Sequence, residues 1–203
     1  MSGKIYIIRH GITLDNKKKS LQGQRDTHLN GQGLIQAERL AEYFTELPLD
    51  AIYCSPLIRA KETANPLARI KGLPLNILED LKEVNFGSWE GVEMQELDKL
   101  YPEEMHNFIA APSKWRAEGA ETFAEAQERV WQAFKETLHK EGNGRNLAFV
   151  THGGAIRLLM GKFLEMDLDK IWKISVYNTS ITTINECHRN CGVLFKRLSD
   201  TSV

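Results

Sequence analysis

Ile5-Tyr6-Ile7-Ile8, followed at once by Arg9-His10-Gly11, is the stretch that decides the fold. Four apolar, β-prone residues without a polar interruption suit a strand covered on both faces, the position of a central strand in a sheet flanked by helices. The run stops on an arginine, a histidine and a glycine, so charged and titratable groups are delivered where the strand ends.

Outward from that strand, Leu34, Ala37, Leu40, Ala41 and Phe44 recur at helical spacing, with Glu38, Arg39 and Glu42 left for water, which predicts an amphipathic helix. Ala51-Ile52-Tyr53-Cys54 reads as a second buried strand. Ser55-Pro56 after it matches a helix N-cap followed by proline at the first helical position, which puts Arg59 in a helix's first turn. Leu73 to Leu78 suits a short third strand. Gly87 to Trp115 mixes aromatics, acids and prolines without a clean period and reads as a helical insertion.

Thr122 with Glu125 forms a capping box, and Phe123, Ala126, Val130, Ala133 and Leu138 trace a long helix behind it. Asn146 to Thr151 is another interior strand, delivering His152-Gly153-Gly154 ahead of an apolar helix over Ala155 to Leu164. Ser175 to Glu186 and Val193 to Leu198 alternate like two edge strands around an Asn-Cys-Gly turn. Strands alternating with helices predict an α/β fold: a three-layer α/β/α sandwich with a mostly parallel central sheet. With no linker, repeat or low-complexity tract, residues 1–203 read as one domain carrying a helical insertion at about 87–121.

Charge and cysteine usage narrow the partners. The chain has 26 basic and 27 acidic residues, a net charge of −1, which argues against a nucleic-acid face and for a small-molecule partner. Cys54, Cys187 and Cys191 form no disulfide framework, as expected of a cytoplasmic protein. Met1 to Lys4 leads straight into the first strand, with no apolar run of signal-peptide or membrane-spanning length, so neither export nor anchoring is expected. Alternating edge strands can be capped by charge or by a second copy, which leaves a homodimer open.

In an open α/β sheet, ligands bind beyond the carboxyl ends of the strands, where loops converge and helix N-termini point N–H groups inward. Arg9-His10, Arg59 and His152 all fall at such ends. A cation in a helix's first turn faces the positive end of the dipole, so Arg59 signals a nearby anion; the alternative is a surface pair with Glu62 or Glu83.

Ile8-Arg9-His10-Gly11-Ile12-Thr13-Leu14-Asp15-Asn16, Ser55-Pro56-Leu57-Ile58-Arg59-Ala60-Lys61-Glu62-Thr63-Ala64, Lys82 to Gly91 with Glu83, and Thr151-His152-Gly153-Gly154 together resemble the motifs of the histidine phosphatase superfamily, the phosphoglycerate mutase-like clan. Order and spacing match from residue 4 to about 185. The resemblance implies a metal-independent, cofactor-free phosphomonoester hydrolase. His10 is then the nucleophile that carries the phosphoryl group, with Gly11 offering the carbonyl that fixes its tautomer. Arg9 and Arg59 grip the phosphoryl oxygens, joined by His152 as a protonated or donating partner. Asn16, Gln22, Gly23 and Gly153 bind substrate. Glu83, beside a Phe86–Trp89 apolar patch, protonates the leaving group and then activates water, with Glu90 and Asp80 as rivals.

Two departures from the family pattern stand out. Ile12 occupies a position where glutamate or glutamine is frequent, and so bears on substrate choice; Gly119-Ala120-Glu121-Thr122 replaces Gly-Gly-Glu-Ser. The compact stretch from Gly91 to Thr122 favours hydrolysis over a cofactor-dependent phosphoglycerate mutase, and the complete set of motif residues disfavours a silent phospholigand-binding protein. Phe86 to Gly91 resembles the α-ribazole phosphatases, making α-ribazole 5′-phosphate the first named substrate. Trp89, Tyr101, Phe108 and Trp115 either wall the leaving-group side or are ordinary core aromatics. Lys17-Lys18-Lys19 either rims the pocket or is a solvated loop. Cys187, His188 and Cys191 lack the second pair of ligands that zinc needs, and His28, His106 and His139 have no assigned role.

Overall fold

The computed structural model describes residues 3–185 and the backbone of 193–196. The turn around Cys191, with Cys187 and His188, lies outside the described residues. The elements run β1 (Lys4–Arg9), α1 (Leu14–Lys18), α2 (Gly31–Tyr43), β2 (Ala51–Cys54), α3 (Ile58–Lys71), β3 (Leu75–Ile77), α4 (Met94–Leu100), α5 (Pro102–Ala110), α6 (Phe123–Glu141), β4 (Leu147–Thr151), α7 (Gly153–Phe163), β5 (Ile181–Asn185) and β6 (Val193–Lys196).

The strands form one 6-stranded sheet in the order β3-β2-β4-β1-β5-β6. β1 to β4 run parallel, while β5 is antiparallel to β1 and to β6. Alternate residues leave a strand on opposite faces, which here builds two cores. Ile5, Ile7, Tyr53 and Phe149 pack under α6 and α7 with Val130, Phe134, Ile156 and Leu159. Tyr6, Ile8, Ile52 and Val150 pack on the other face under α2 and α3 with Leu40, Phe44, Ala64 and Leu67. The result is the expected three-layer, mostly parallel α/β architecture. A third cluster holds the helical stretch after β3 in place: Phe86, Trp89, Phe108, Trp115 and Phe123 interlock, and truncating one such ring to alanine costs on the order of 3–5 kcal/mol.

Register sets the site. Arg9 lies opposite Thr151 and Cys54 opposite Val150, so His10 and His152 leave adjacent strands level with one another, and Ser55 leaves the third level with Thr151, one residue earlier.

Four expectations need correction. Ser55 is not a helix cap: α3 begins at Ile58 with Leu57 in the cap position, because the Ser55 hydroxyl lies 2.7 Å from His152 across the sheet and only 3.4 Å from the Leu57 amide. Arg59 nevertheless sits in the first turn, as expected. β5 is an interior strand: Ile181 pairs with Ile8 and is buried, and a partner strand stands on its far side. α2 starts three residues before Leu34, where Asn30 accepts the Gly33 N–H and caps it. α7 likewise starts at Gly153, two residues early, so both glycines lie in its first turn.

Candidate active site

His10 is 2% exposed, and its Nδ1 lies 2.7 Å from the Gly11 carbonyl oxygen. A carbonyl only accepts, so Nδ1 carries the ring proton and Nε2 presents a bare lone pair. Gly11 is itself fixed, its N–H donating to Thr63 Oγ1 (2.9 Å) while that hydroxyl donates to the Arg59 carbonyl (2.7 Å). A side chain at Gly11 would stand 2.8 Å from the Gly33 carbonyl oxygen, which forces glycine there. Burial first, then the Arg59 and Arg9 cations, hold His10 well below the ordinary histidine pKa and therefore neutral.

His152 is fully buried, its ring centroid 5.2 Å from that of His10. Its Nε2 lies 2.7 Å from Ser55 Oγ, and its Nδ1 has no hydrogen-bond partner among the described residues. Burial, then Arg59, His10 and Arg9 push its pKa well down too. Of the two forms expected for His152, these surroundings favour the neutral ring over the cation.

Arg59 is 0% exposed, so the surface-pair alternative fails. It reaches back to the loop before α2, Nη1 donating to the Arg25 carbonyl and Nη2 to the Gly23 carbonyl, each at 2.7 Å. Glu62 instead meets His28 at 2.6 Å and the Leu29 N–H at 2.8 Å. Arg9 donates through Nη1 to the Val176 carbonyl at 2.8 Å. The Nε of each arginine is buried without a partner among the described residues. Burial lowers both guanidinium groups to about 10, aided at Arg9 by the neighbouring Arg157 cation, so both stay charged at neutral pH.

Glu83 meets backbone donors rather than an apolar patch. Its carboxylate accepts the N–H groups of Gly154 (3.0 Å), Ala155 (2.9 Å) and Val84 (3.0 Å), at the N-terminus of α7. A Cβ at Gly154 would stand 2.5 Å from its Oε1, so the second glycine makes room for the acid. Glu90 turns away: it accepts from the Gln24 and Phe86 N–H groups and packs under Gly23, outside the cavity. Asp80 also lies elsewhere, on a separate surface hollow.

Arg9, His10, Arg59 and Glu83 open onto a cavity of about 440 Å³, which Asn16, Gln22, Gly23 and Gly153 also line. Asn16 Oδ1 is held by the Thr13 N–H at 3.1 Å, which fixes the amide orientation and leaves Nδ2 as its donor. Gln22 Oε1 accepts from Thr27 at 2.8 Å, with the same effect.

Of the expected aromatic wall only Phe108 lines the cavity. Trp89 and Trp115 are core, and Tyr101 faces another hollow; Leu21, Phe86, Met94, Ile109 and Trp172 supply the rest. Ile12 is absent from the lining: its backbone N–H and carbonyl bond Gln36 and Asn30 instead. Of the three lysines, Lys19 alone reaches the rim.

Three positions escaped the sequence reading. Arg157 lines the wall, donating to the Gly153 and Ile174 carbonyls and lying 5.3 Å over the Trp172 ring. Its place four residues after Gly153 on α7, on the same face, was the signal available. Thr63, four residues after Arg59, was legible in the same way. Asn178, which donates to the His10 carbonyl and to Asn16, comes from a distant loop that carries no such spacing. No group of three metal-ligating side chains occurs among the described residues.

The model of the histidine phosphatase superfamily (branch 1) matches residues 5–200. Phosphoserine phosphatase 1 of Hydrogenobacter thermophilus is 30% identical over 191 residues, 94% of this chain and 90% of that protein. The adenosylcobalamin/alpha-ribazole phosphatase of Escherichia coli is 29% identical over 179 residues, 85% of each. Among solved structures, YhfR of Bacillus stearothermophilus superposes with a TM-score of 0.88 at 29% identity, covering 96% of both chains.

Proposed function

The chain belongs to the histidine phosphatase superfamily (branch 1), and from that premise we propose that it hydrolyses small phosphomonoesters by way of a phosphohistidine on His10. One observation carries the reading: in the side chains that neighbour the neutral His10, three buried nitrogens, Arg9 Nε, Arg59 Nε and His152 Nδ1, have no hydrogen-bond partner among the described residues. Buried donors without partners are costly, and a phosphoryl group satisfies all three.

In the first step His10 Nε2 attacks phosphorus and the bond to the ester oxygen breaks. Arg9 and Arg59 neutralise the phosphoryl oxygens, His152 donates a hydrogen bond to one of them, and Asn16, Gln22 and the Gly153 N–H orient the group. Glu83 enters this step as the carboxylic acid and gives its proton to the departing alkoxide, leaving the carboxylate. In the second step the Glu83 carboxylate takes a proton from water, whose oxygen attacks phosphorus and releases His10 and inorganic phosphate. The residues supply the charge and the proton transfers without a metal.

The wall from Leu21, Phe86, Met94, Phe108, Ile109 and Trp172 faces the leaving group and suits a flat apolar one, so α-ribazole 5′-phosphate heads the candidates. Similarity to an adenosylcobalamin/alpha-ribazole phosphatase supports it, and similarity to a phosphoserine phosphatase keeps phosphoserine beside it. Near-neutral net charge and the cysteine pattern support a cytoplasmic setting with a small-molecule partner, and no helix among the described residues is long and apolar enough to cross a membrane.

The test is hydrolysis of p-nitrophenyl phosphate in EDTA by the native chain and by His10→Ala. Turnover that survives EDTA and vanishes in the variant is expected. An inert native chain that still binds phosphate would mark a silent phospholigand-binding protein instead, and full activity of His10→Ala would remove His10 from the chemistry.

A further inference from the structure

Ser55 is left without a role by the steps above: it touches no reacting atom and does not cap α3. It is nevertheless fully buried, one strand across from His152, with its hydroxyl 2.7 Å from His152 Nε2. We propose that Ser55 is a positioning residue whose hydroxyl donates to His152 Nε2, thereby placing the ring proton on Nδ1, where it meets a phosphoryl oxygen. This deepens the phosphohydrolase reading and rests on it for its functional part.

Protons and lone pairs around Ser55 Oγ fix the direction of this bond. Among the described residues Ser55 Oγ has two hydrogen-bonding neighbours, the Leu57 N–H at 3.4 Å and His152 Nε2. An amide N–H only donates, so it takes a lone pair of the hydroxyl, and the one acceptor left for the hydroxyl proton is Nε2. A neutral imidazole that accepts at Nε2 must carry its hydrogen on Nδ1, the buried atom that has no partner among the described residues. The opposite tautomer fails twice. It leaves the hydroxyl proton without an acceptor in a fully buried place, and it points the Nδ1 lone pair at an anionic ligand.

The same device recurs at the other histidine, where the Gly11 carbonyl takes the Nδ1 proton of His10 and bares Nε2. Two neighbouring rings 5.2 Å apart are thus set in complementary states by second partners of opposite character. The acceptor beside His10 makes a nucleophile, and the donor beside His152 makes a hydrogen-bond donor. The pairing of β2 beside β4 brings Ser55 close by: Cys54 lies opposite Val150, so Ser55 leaves its strand level with Thr151, one residue before His152.

The tautomer is read directly by long-range proton–nitrogen correlation NMR on 15N-labelled native protein, with and without orthovanadate as the phosphoryl mimic. Expected is a protonated, pyrrole-type signal for His152 Nδ1 and an unprotonated, pyridine-type signal for Nε2 in both samples. A proton on Nε2, alone or together with Nδ1, would overturn the assignment. In kinetics on p-nitrophenyl phosphate, Ser55→Ala is expected to lower kcat about 10- to 100-fold with KM nearly unchanged, and to lose the Nδ1–H pattern, while Ser55→Thr retains both. A folded Ser55→Ala that keeps native kcat, or keeps the tautomer, would refute the proposal. Failure of the native chain to turn over any phosphomonoester would strike the phosphohydrolase reading alone, because the tautomer is measured without turnover.

Discussion

Gly154→Ala isolates the contact between α7 and the acid. The added Cβ lands 2.5 Å from Glu83 Oε1, 3.2 Å from its carboxyl carbon and 3.1 Å from Val84 Cγ2. Ordinary contact needs roughly 3.4 Å, so Oε1 must withdraw by close to 1 Å, and it is that oxygen which accepts from Val84 and Ala155. Losing two hydrogen bonds to a carboxylate at about 1.5–3 kcal/mol each, offset by the roughly 1 kcal/mol that alanine gains over glycine in a helix, gives a net destabilisation of about 2–5 kcal/mol. A shift of that size in a group that must reach the leaving oxygen lowers kcat by about 10²-fold. Urea denaturation and steady-state hydrolysis of an alkyl phosphate measure the two effects. A double-mutant cycle with Glu83→Ala separates them from a general helix effect, since the stability cost of Gly154→Ala should shrink to near zero once the carboxylate is gone. Unchanged stability and kcat in Gly154→Ala, or the same cost in the Glu83→Ala background, would refute the packing argument.

Further outcomes follow from the same geometry. Both active-site histidines are held well below the ordinary value near 6.5, so below that pH the unfolded chain takes up protons that the native state refuses. Stability is full above about pH 6.5 and falls as pH drops towards the folded values, by up to about 1.4 kcal/mol per pH unit for each histidine, or about 2.7 for both; His10→Asn should roughly halve the slope in urea titrations between pH 6 and 5. Glu83→Gln is expected to slow an alkyl phosphate by about 10²- to 10³-fold and p-nitrophenyl phosphate far less, because nitrophenolate departs without a proton; equal losses on both would contradict the acid role. Arg59→Ala removes a buried cation and the two bonds to the Gly23 and Arg25 carbonyls, so kcat/KM should fall by at least about 10³-fold and trypsin should cut faster at Arg25; a resistant loop would argue against the anchoring role.

The parts of the molecule written locally were legible. Ile5 to Ile8 and Leu147 to Val150 are continuous apolar runs, and both are interior strands. Thr122 and Glu125 specify a capping box four residues long, and it forms as expected. Site residues at strand ends were legible for the same reason, since the end of a buried run is fixed by its own residues and the fold places such ends on one edge. What sequence could not supply was set by distant contacts. Ser55 has the right residue type before a proline for an N-cap, and only the pairing of β2 beside β4, distant in sequence, brings its hydroxyl to His152. The leaving-group wall depends on how α4, α5 and the Trp172 turn fold together, so three of four expected aromatics went to the core or another surface while Met94, Ile109 and Trp172 took their place. β5 alternates less than an exposed strand should, burying Thr182 beside Ile181, a feature hidden by its polar composition. Glu83, singled out by its motif position, does line the cavity, and its partners are the helix N-terminus rather than the aromatic patch expected.

The central claim is that the phosphoryl group passes through His10. Rapid quenching of the native enzyme with a labelled phosphomonoester, followed by peptide mapping under alkaline conditions, tests it most directly. The account predicts acid-labile, base-stable phosphate on the peptide containing His10, formed within the first turnover and absent from His10→Ala. Phosphate mapped to any other residue, or multiple turnovers by His10→Ala at the native rate, would contradict it.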